Sequence, residues 1–366
     1  MSLRETAPRA IRAAAVALLL GATTACSSIG PGTVARDRAD YSSAIVESWK
    51  QQTLLNIVRL RYADYPIFME VSQVIAGYQM QTTVAGGVSA QNYIPSAVGV
   101  PAAIGGTAAV GATYIDRPTI MYAPLTGTDF VKKLMAPMPP SAVLFLLQSG
   151  YAATVVLPVT VESINGVSNE SRRAAMRRTV DPQFMRLTQL LYELQLANAL
   201  QIRIDRNKDG ETVVIGFPPS GAPPDVQAKV AEVRDILHLA RPANGYTVRY
   251  GGFSGRSDEI ALATRSMLQV MTELGSQAQV PEADVAAGKA SATAPTASGE
   301  PPLLTILSGP TPPADTFVAV PYKNHWFWIA DNDLRSKSIF GGVMLLFSIS
   351  EVGVRSSPAV VTVPAN

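Results

Sequence analysis

The sequence predicts an α+β fold of mixed helices and antiparallel strands, with a Gly/Ala-rich extended hairpin or loop, and three observations lead there. Stretches with helical spacing and stretches with strand spacing both occur, without the regular alternation that a parallel α/β sheet requires. The composition, 47% hydrophobic and 16% charged over 366 residues, excludes disorder as the overall state. Between Ile202-Arg203-Ile204 and Val213-Val214-Ile215 lies Asn207-Lys208-Asp209-Gly210, a strong hairpin signal.

The chain opens as a signal peptide over residues 1–25. Arg4, Arg9 and Arg12 precede the apolar run Ala13 to Gly21, and small residues lead to Cys26. That run is shorter than the roughly 20 residues a membrane-crossing helix needs, and no transmembrane helix is expected later. Thr23-Thr24-Ala25-Cys26 resembles a lipoprotein lipobox, which implies a Cys26 acylated on sulfur as the mature N-terminus. Thr23 stands where the motif usually has Leu, so cleavage by the ordinary signal peptidase after Ala25 is the alternative. By analogy with lipoprotein sorting, Ser27 implies the outer membrane, facing the periplasm. Each buried acyl CH₂ contributes about 0.8 kcal/mol, so several chains anchor durably. Removing residues 1–25 also removes the formal charge of +2, and the near-neutral remainder lacks the basic footprint of a nucleic-acid protein.

Residues 26–40 read as a tether. Two α+β regions follow, 41–170 and 171–350, and then a tail, 351–366. The first helix is expected over Tyr41–Tyr62, with Ile45, Trp49, Thr53, Ile57 and Leu60 on one face and Leu54, Leu55 and Val58 opposite, so its second half should be buried. Ile67–Gln81 reads as a helical turn becoming a strand near Tyr78. Arg117–Tyr122 reads as a strand, Thr128–Met135 and Ser141–Gln148 as short helices, and the Val-rich Thr154–Ile164 as a central strand. Asp181-Pro182 should open an amphipathic helix burying Phe184, Leu187, Leu191 and Leu194. Helices over Pro224–Leu239 and Asp258–Leu274 flank a strand at Tyr246–Tyr250. Val280–Pro302 is a low-complexity stretch expected to be a loose insertion. Phe317–Val320 and Trp326–Ile329 read as a strand pair, and Leu334–Ile349 as the last helix, spaced to bury Phe340, Val343, Met344 and Phe347.

Four constellations bear on function. Asp205-x-Asn207-x-Asp209-Gly210 opens like a calcium loop, but its twelfth position is Gly216 rather than Glu, so a plain hairpin turn is the expectation and no metal is assigned. His238 and His325, the only histidines, have no ligand or nucleophile at a diagnostic offset, so both are expected to be structural, with no catalytic residue and no cofactor. Arg172, Arg173, Arg177 and Arg178 form a basic run that reads first as a solvated face and second as a contact for lipid phosphates or an anionic partner.

The fourth is Thr82–Thr113, rich in Gly, Ala, Val, Ser and Thr, with no charge before Asp116. A surface loop is the plain expectation. The alternative is a long hairpin, about Tyr78–Ala90 against Ile104–Ile120, each strand long enough to cross an outer membrane at a tilt. Its alternation looks poor: Val98, Val100 and Ile104 share a parity, whereas Val110 and Ala112 sit among equally small neighbours.

Several blocks together resemble a family of uncharacterised bacterial lipoproteins, proteobacterial in origin: Asn56-Ile57-Val58-Arg59-Leu60-Arg61-Tyr62-Ala63-Asp64 leading to Pro66-Ile67-Phe68-Met69-Glu70-Val71-Ser72; Arg117-Pro118-Thr119; Leu147-Gln148-Ser149-Gly150; Ser163-Ile164-Asn165-Gly166; and Trp326-Phe327-Trp328-Ile329 before Asp333-Leu334-Arg335-Ser336-Lys337. The resemblance implies a lipoprotein; the family carries no assigned activity and adds no catalytic residue. The expectation is therefore a non-enzymatic structural or interaction component of the cell envelope, with the membrane and other envelope proteins as partners and no nucleic acid. The alternatives are an oligomeric channel or secretion accessory using residues 78–120, and a periplasmic hydrolase acting through carboxylates.

Overall fold

The computed structural model describes residues 29–75, 78–89, 105–116, 119–169, 181–207, 210–218, 221–241, 245–293 and 302–351. It is α+β, as expected. Two units divide the chain: one comprises residues up to Val46 together with Met69–Ala123, the other Glu47–Phe68 together with everything from Pro124. The division expected near residue 170 is not seen, because the largest sheet pairs Ile164 with Leu262 across it.

The first unit holds the start of helix α1 (Ile29–Arg61) and four strands, β1 (Phe68–Ile75), β2 (Tyr78–Ser89), β3 (Gly105–Asp116) and β4 (Thr119–Leu125). These strands pair in nested order, β2 with β3 and β1 with β4, each a two-stranded sheet. The helical turn expected at Ile67 is strand from Phe68 onward: Val71, Val74 and Ile75 are β-branched and favour the pleat.

The second unit has a six-stranded sheet in the order β6-β5-β10-β9-β8-β7. It is built from β5 (Val161–Ile164), β6 (Val167–Ser168), β7 (Gln201–Asn207), β8 (Gly210–Gly216), β9 (Tyr246–Tyr250) and β10 (Glu259–Thr264). Only β9 and β10 run parallel. Helices α2 (Thr128–Met135), α3 (Pro140–Gln148), α4 (Ala153–Thr160), α5 (Pro182–Leu196) and α6 (Pro224–Ile236) precede or join these strands, and α7 (Met267–Ser276) and α8 (Glu282–Ala286) follow them. A three-stranded sheet of β11 (Leu307–Gly309), β12 (Thr316–Tyr322) and β13 (His325–Ala330), ordered β11-β13-β12, leads to α9 (Leu334–Glu351).

Amphipathic spacing predicted α5 well: Asp181 caps it by accepting from the Gln183 N–H at 2.8 Å, and Phe184, Leu187 and Leu194 are fully buried. The hairpin at Asn207 closes as β7 and β8, with Asn207 opposite Gly210. Two expectations fail for one reason. The strand expected over Thr154–Ile164 is helix α4 as far as Thr160 and strand only from Val161, and the helix expected over Asp258–Leu274 is strand β10 followed by α7. Helix α4 and strand β10 are buried over most of their length, so neither shows a polar face from which a period could be read. The Ser266–Gln269 capping box marks the true start of α7. The insertion expected at Val280–Pro302 is built into the unit up to residue 293, as α8 with Asp284 buried and Thr293 donating to the Ala278 carbonyl.

The cores of both sheets are apolar. Leu144, Leu157, Leu191, Val233, Val248 and Leu262 surround an apolar void of about 30 Å³ between the six-stranded sheet and its helices. No drug-sized ligand fits there.

Candidate functional site

Two features bear on function. The first is the β2–β3 hairpin. Its register is continuous over twelve rungs, from Tyr78 opposite Asp116 to Ser89 opposite Gly105. Residues directly opposite share a face of an antiparallel pair, and the face alternates with each step. One face therefore carries Tyr78 with Asp116, Met80 with Tyr114, Thr82 with Ala112, Val84 with Val110, Gly86 with Ala108 and Val88 with Gly106. The other carries Gln79 with Ile115, Gln81 with Thr113, Thr83 with Gly111, Ala85 with Ala109, Gly87 with Thr107 and Ser89 with Gly105. Apart from Ile115, Thr82 and, at the end rung, Asp116, the register sorts large apolar residues to one side and amides and hydroxyls to the other. No charged residue occurs between Glu70 and Asp116.

The surface loop expected for residues 82–113 is thus corrected to paired strands over 82–89 and 105–113. Parity was hard to see in the sequence because Gly, Ala and Thr on both faces blur the alternation; Val98, Val100 and Ile104 lie outside the described residues. The alternation that counts, Tyr78, Met80, Val84 and Val88, runs along a single strand.

Twelve residues at about 3.3 Å each extend roughly 40 Å, and a tilt near 40° leaves about 30 Å, enough to cross the ~25 Å apolar band of an outer-membrane barrel. The continuation of the ribbon in β1 and β4 keeps apolar groups in the open: Met69, Ile120 and Tyr122 are 46%, 42% and 56% exposed. The first residue of β1, Phe68, belongs to the second unit. Phe68 is buried 5.6 Å from the Phe130 ring and 5.2 Å from that of Phe347. The side-chain amide of Asn56 donates to the Ile67 carbonyl at 2.7 Å, and its oxygen accepts from the Ile67 N–H at 2.9 Å.

The second feature is a polar cluster at the end of α1. Asp284 is buried and accepts from the Tyr62 hydroxyl and from Lys289, both at 2.8 Å, with His325 Nε2 at 3.9 Å. Hydrogen bonds from Lys289 and Tyr62 hold its carboxyl below the usual carboxylate range. Nearby, Asp64 accepts from the Tyr322 hydroxyl and pairs with Lys323 at 3.1 Å, and its pKa is likewise lowered, chiefly by the Tyr322 hydrogen bond. Burial, with the Asp284 hydrogen bond, drives the Tyr62 hydroxyl pKa upward. A general acid needs a carboxyl whose pKa is raised; both carboxyls here are shifted the opposite way. The cluster fastens the end of α1 to α8 and to the β12–β13 turn.

Of the residues singled out in the sequence, Cys26, Arg172, Arg173, Arg177 and Arg178 lie outside the described residues. Asp205 pairs with Arg203 at 2.9 Å on the exposed β7 strand. His238 is exposed just beyond α6, in a left-handed conformation with φ 53°. His325 opens β13 beside Asp284, a position that no sequence spacing announced. Among the described residues no helix is long and apolar enough to cross a membrane, and no group of three or more His, Cys, Asp or Glu is placed to hold a metal ion. The chain matches no protein-family profile, no curated protein and no solved structure.

Proposed function

We propose that the protein is an envelope lipoprotein, anchored in the outer membrane through Cys26 and facing the periplasm, whose β2–β3 hairpins assemble from several copies into a membrane-spanning β-barrel. The role is that of a channel or secretion accessory, without enzymatic activity. The register that sorts the hairpin into an apolar and a polar face carries this reading.

A two-stranded hairpin by itself is marginal in water, and Gly86, Gly87, Gly105, Gly106 and Gly111 each weaken it further, by about 0.5–1 kcal/mol relative to Ala. An apolar face whose one charged residue, Asp116, stands at the end rung gains by entering lipid, while the polar face needs water. The open strand edges cannot stay unpaired in hydrocarbon, so each hairpin must be paired on both sides by further strands, and additional copies of the chain supply them. Two strands per copy give the even strand number usual in bacterial outer-membrane barrels.

The test is size in mild detergent, with and without residues 82–113, alongside metabolic labelling with palmitate. A large oligomer that falls to a monomer on deletion is expected, with label lost in Cys26→Ser. A monomer in both forms refutes the barrel, and an unlabelled wild type refutes the anchor.

A further inference from the structure

The hairpin register also determines what a pore of this kind would admit. Barrel residues alternate between lipid and lumen, so the wall opposite the apolar face carries Gln79, Gln81, Thr83, Ser89, Thr107 and Thr113. In a symmetric assembly a single charged residue becomes a ring of like charges, and such rings make pores selective. The lumen face of β2 and β3 has none, and Asp116, their one charged residue, lies on the other parity, opposite Tyr78 at the end rung. Backbone carbonyls, the other source of ion selectivity, are engaged in the strand ladder and are not free to strip hydration shells. Amides and hydroxyls both donate and accept, and so solvate cations and anions equally well.

We infer that the pore conducts small hydrophilic solutes, including ions of either sign, without regard to charge. This rests on the barrel reading above and adds the class of permeant. The experiment uses the purified full-length acylated protein in planar bilayers under a KCl gradient. A K⁺/Cl⁻ permeability ratio within about twofold of one is expected, since neither ion meets a charged ring. Gln81 and Thr113 lie opposite each other, so Gln81→Lys and Thr113→Asp should shift the ratio several-fold in opposite directions, toward anions and toward cations. Oligomer size confirms assembly of each variant, and Gln81→Glu provides a near-isosteric negative ring in case the lysine variant does not assemble. A wild-type pore about tenfold selective for one sign overturns the inference while leaving the barrel intact. So does a pore whose ratio all assembled variants leave unchanged. A wild-type protein with no conductance overturns the barrel reading itself.

Discussion

Lysine placed at Val84 and at Thr83, adjacent residues on opposite faces of the hairpin, should have opposite consequences. The Val84–Val110 rung is the fourth of the six on its face, near the middle of the span. A Lys on the lipid side at mid-membrane depth costs about 2–4 kcal/mol, which lowers the insertion equilibrium by roughly 30- to 1,000-fold per chain and compounds around a ring. The same residue on the lumen side at nearly the same depth stays hydrated and costs little. The assay is flotation with phosphatidylethanolamine–phosphatidylglycerol vesicles, using a mature chain with Cys26→Ser so that the hairpin alone confers binding. Wild type and Thr83→Lys should float, and Val84→Lys should remain in the bottom fraction. If both lysines impair flotation to the same degree, or if neither does, the two-faced assignment is wrong.

Three further outcomes follow from the second unit. Asn56→Ala removes both hydrogen bonds to the Ile67 backbone in a part-buried setting, so thermal unfolding should show a loss of about 1–2 kcal/mol. Gly275→Ala, which helix propensity alone would make stabilising by about 1 kcal/mol, should instead destabilise, because its Cβ would sit 2.9 Å from the Ile57 carbonyl oxygen; a melting temperature raised by the substitution would show that α1 and α7 can move apart. The carboxyl of Asp284 has a depressed folded pKa, so its stabilisation is present above the ordinary carboxylate value and is lost as pH falls through the folded value. Asp284→Asn should therefore melt well below wild type at neutral pH, with the gap closing below about pH 4; a gap constant with pH would mean that the charge contributes nothing.

Much of this architecture could be read from residue order, and the failures share a cause. Helix α5 and the β7–β8 and β12–β13 hairpins were legible because each joins a one-sided apolar pattern to a cap or turn residue that states its geometry. Helix α4 and strand β10 were not, since Val-rich and Ala-rich runs buried over most of their length carry no period. The candidate hairpin falls between these cases. Its length and lack of charge were plain, but small residues blur parity, and only the pairing of Val84 with Val110 and Met80 with Tyr114 shows that the two strands agree on a face. The clasp of Asn56 on Ile67 and the approach of His325 to Asp284 depend on tertiary packing, which spacing along the chain does not encode.

The place of β5 in its sheet has a consequence for biogenesis. One of its neighbours, β6, follows within three residues, but the other, β10, is made about a hundred residues later, as the pairing of Ile164 with Leu262 shows. Contacts so distant in sequence are slow to form, because a large entropy of chain closure precedes any gain. During synthesis from the N-terminal end, β5 would expose an unpaired edge until Leu262 arrives, a period in which a holding chaperone would have most to protect.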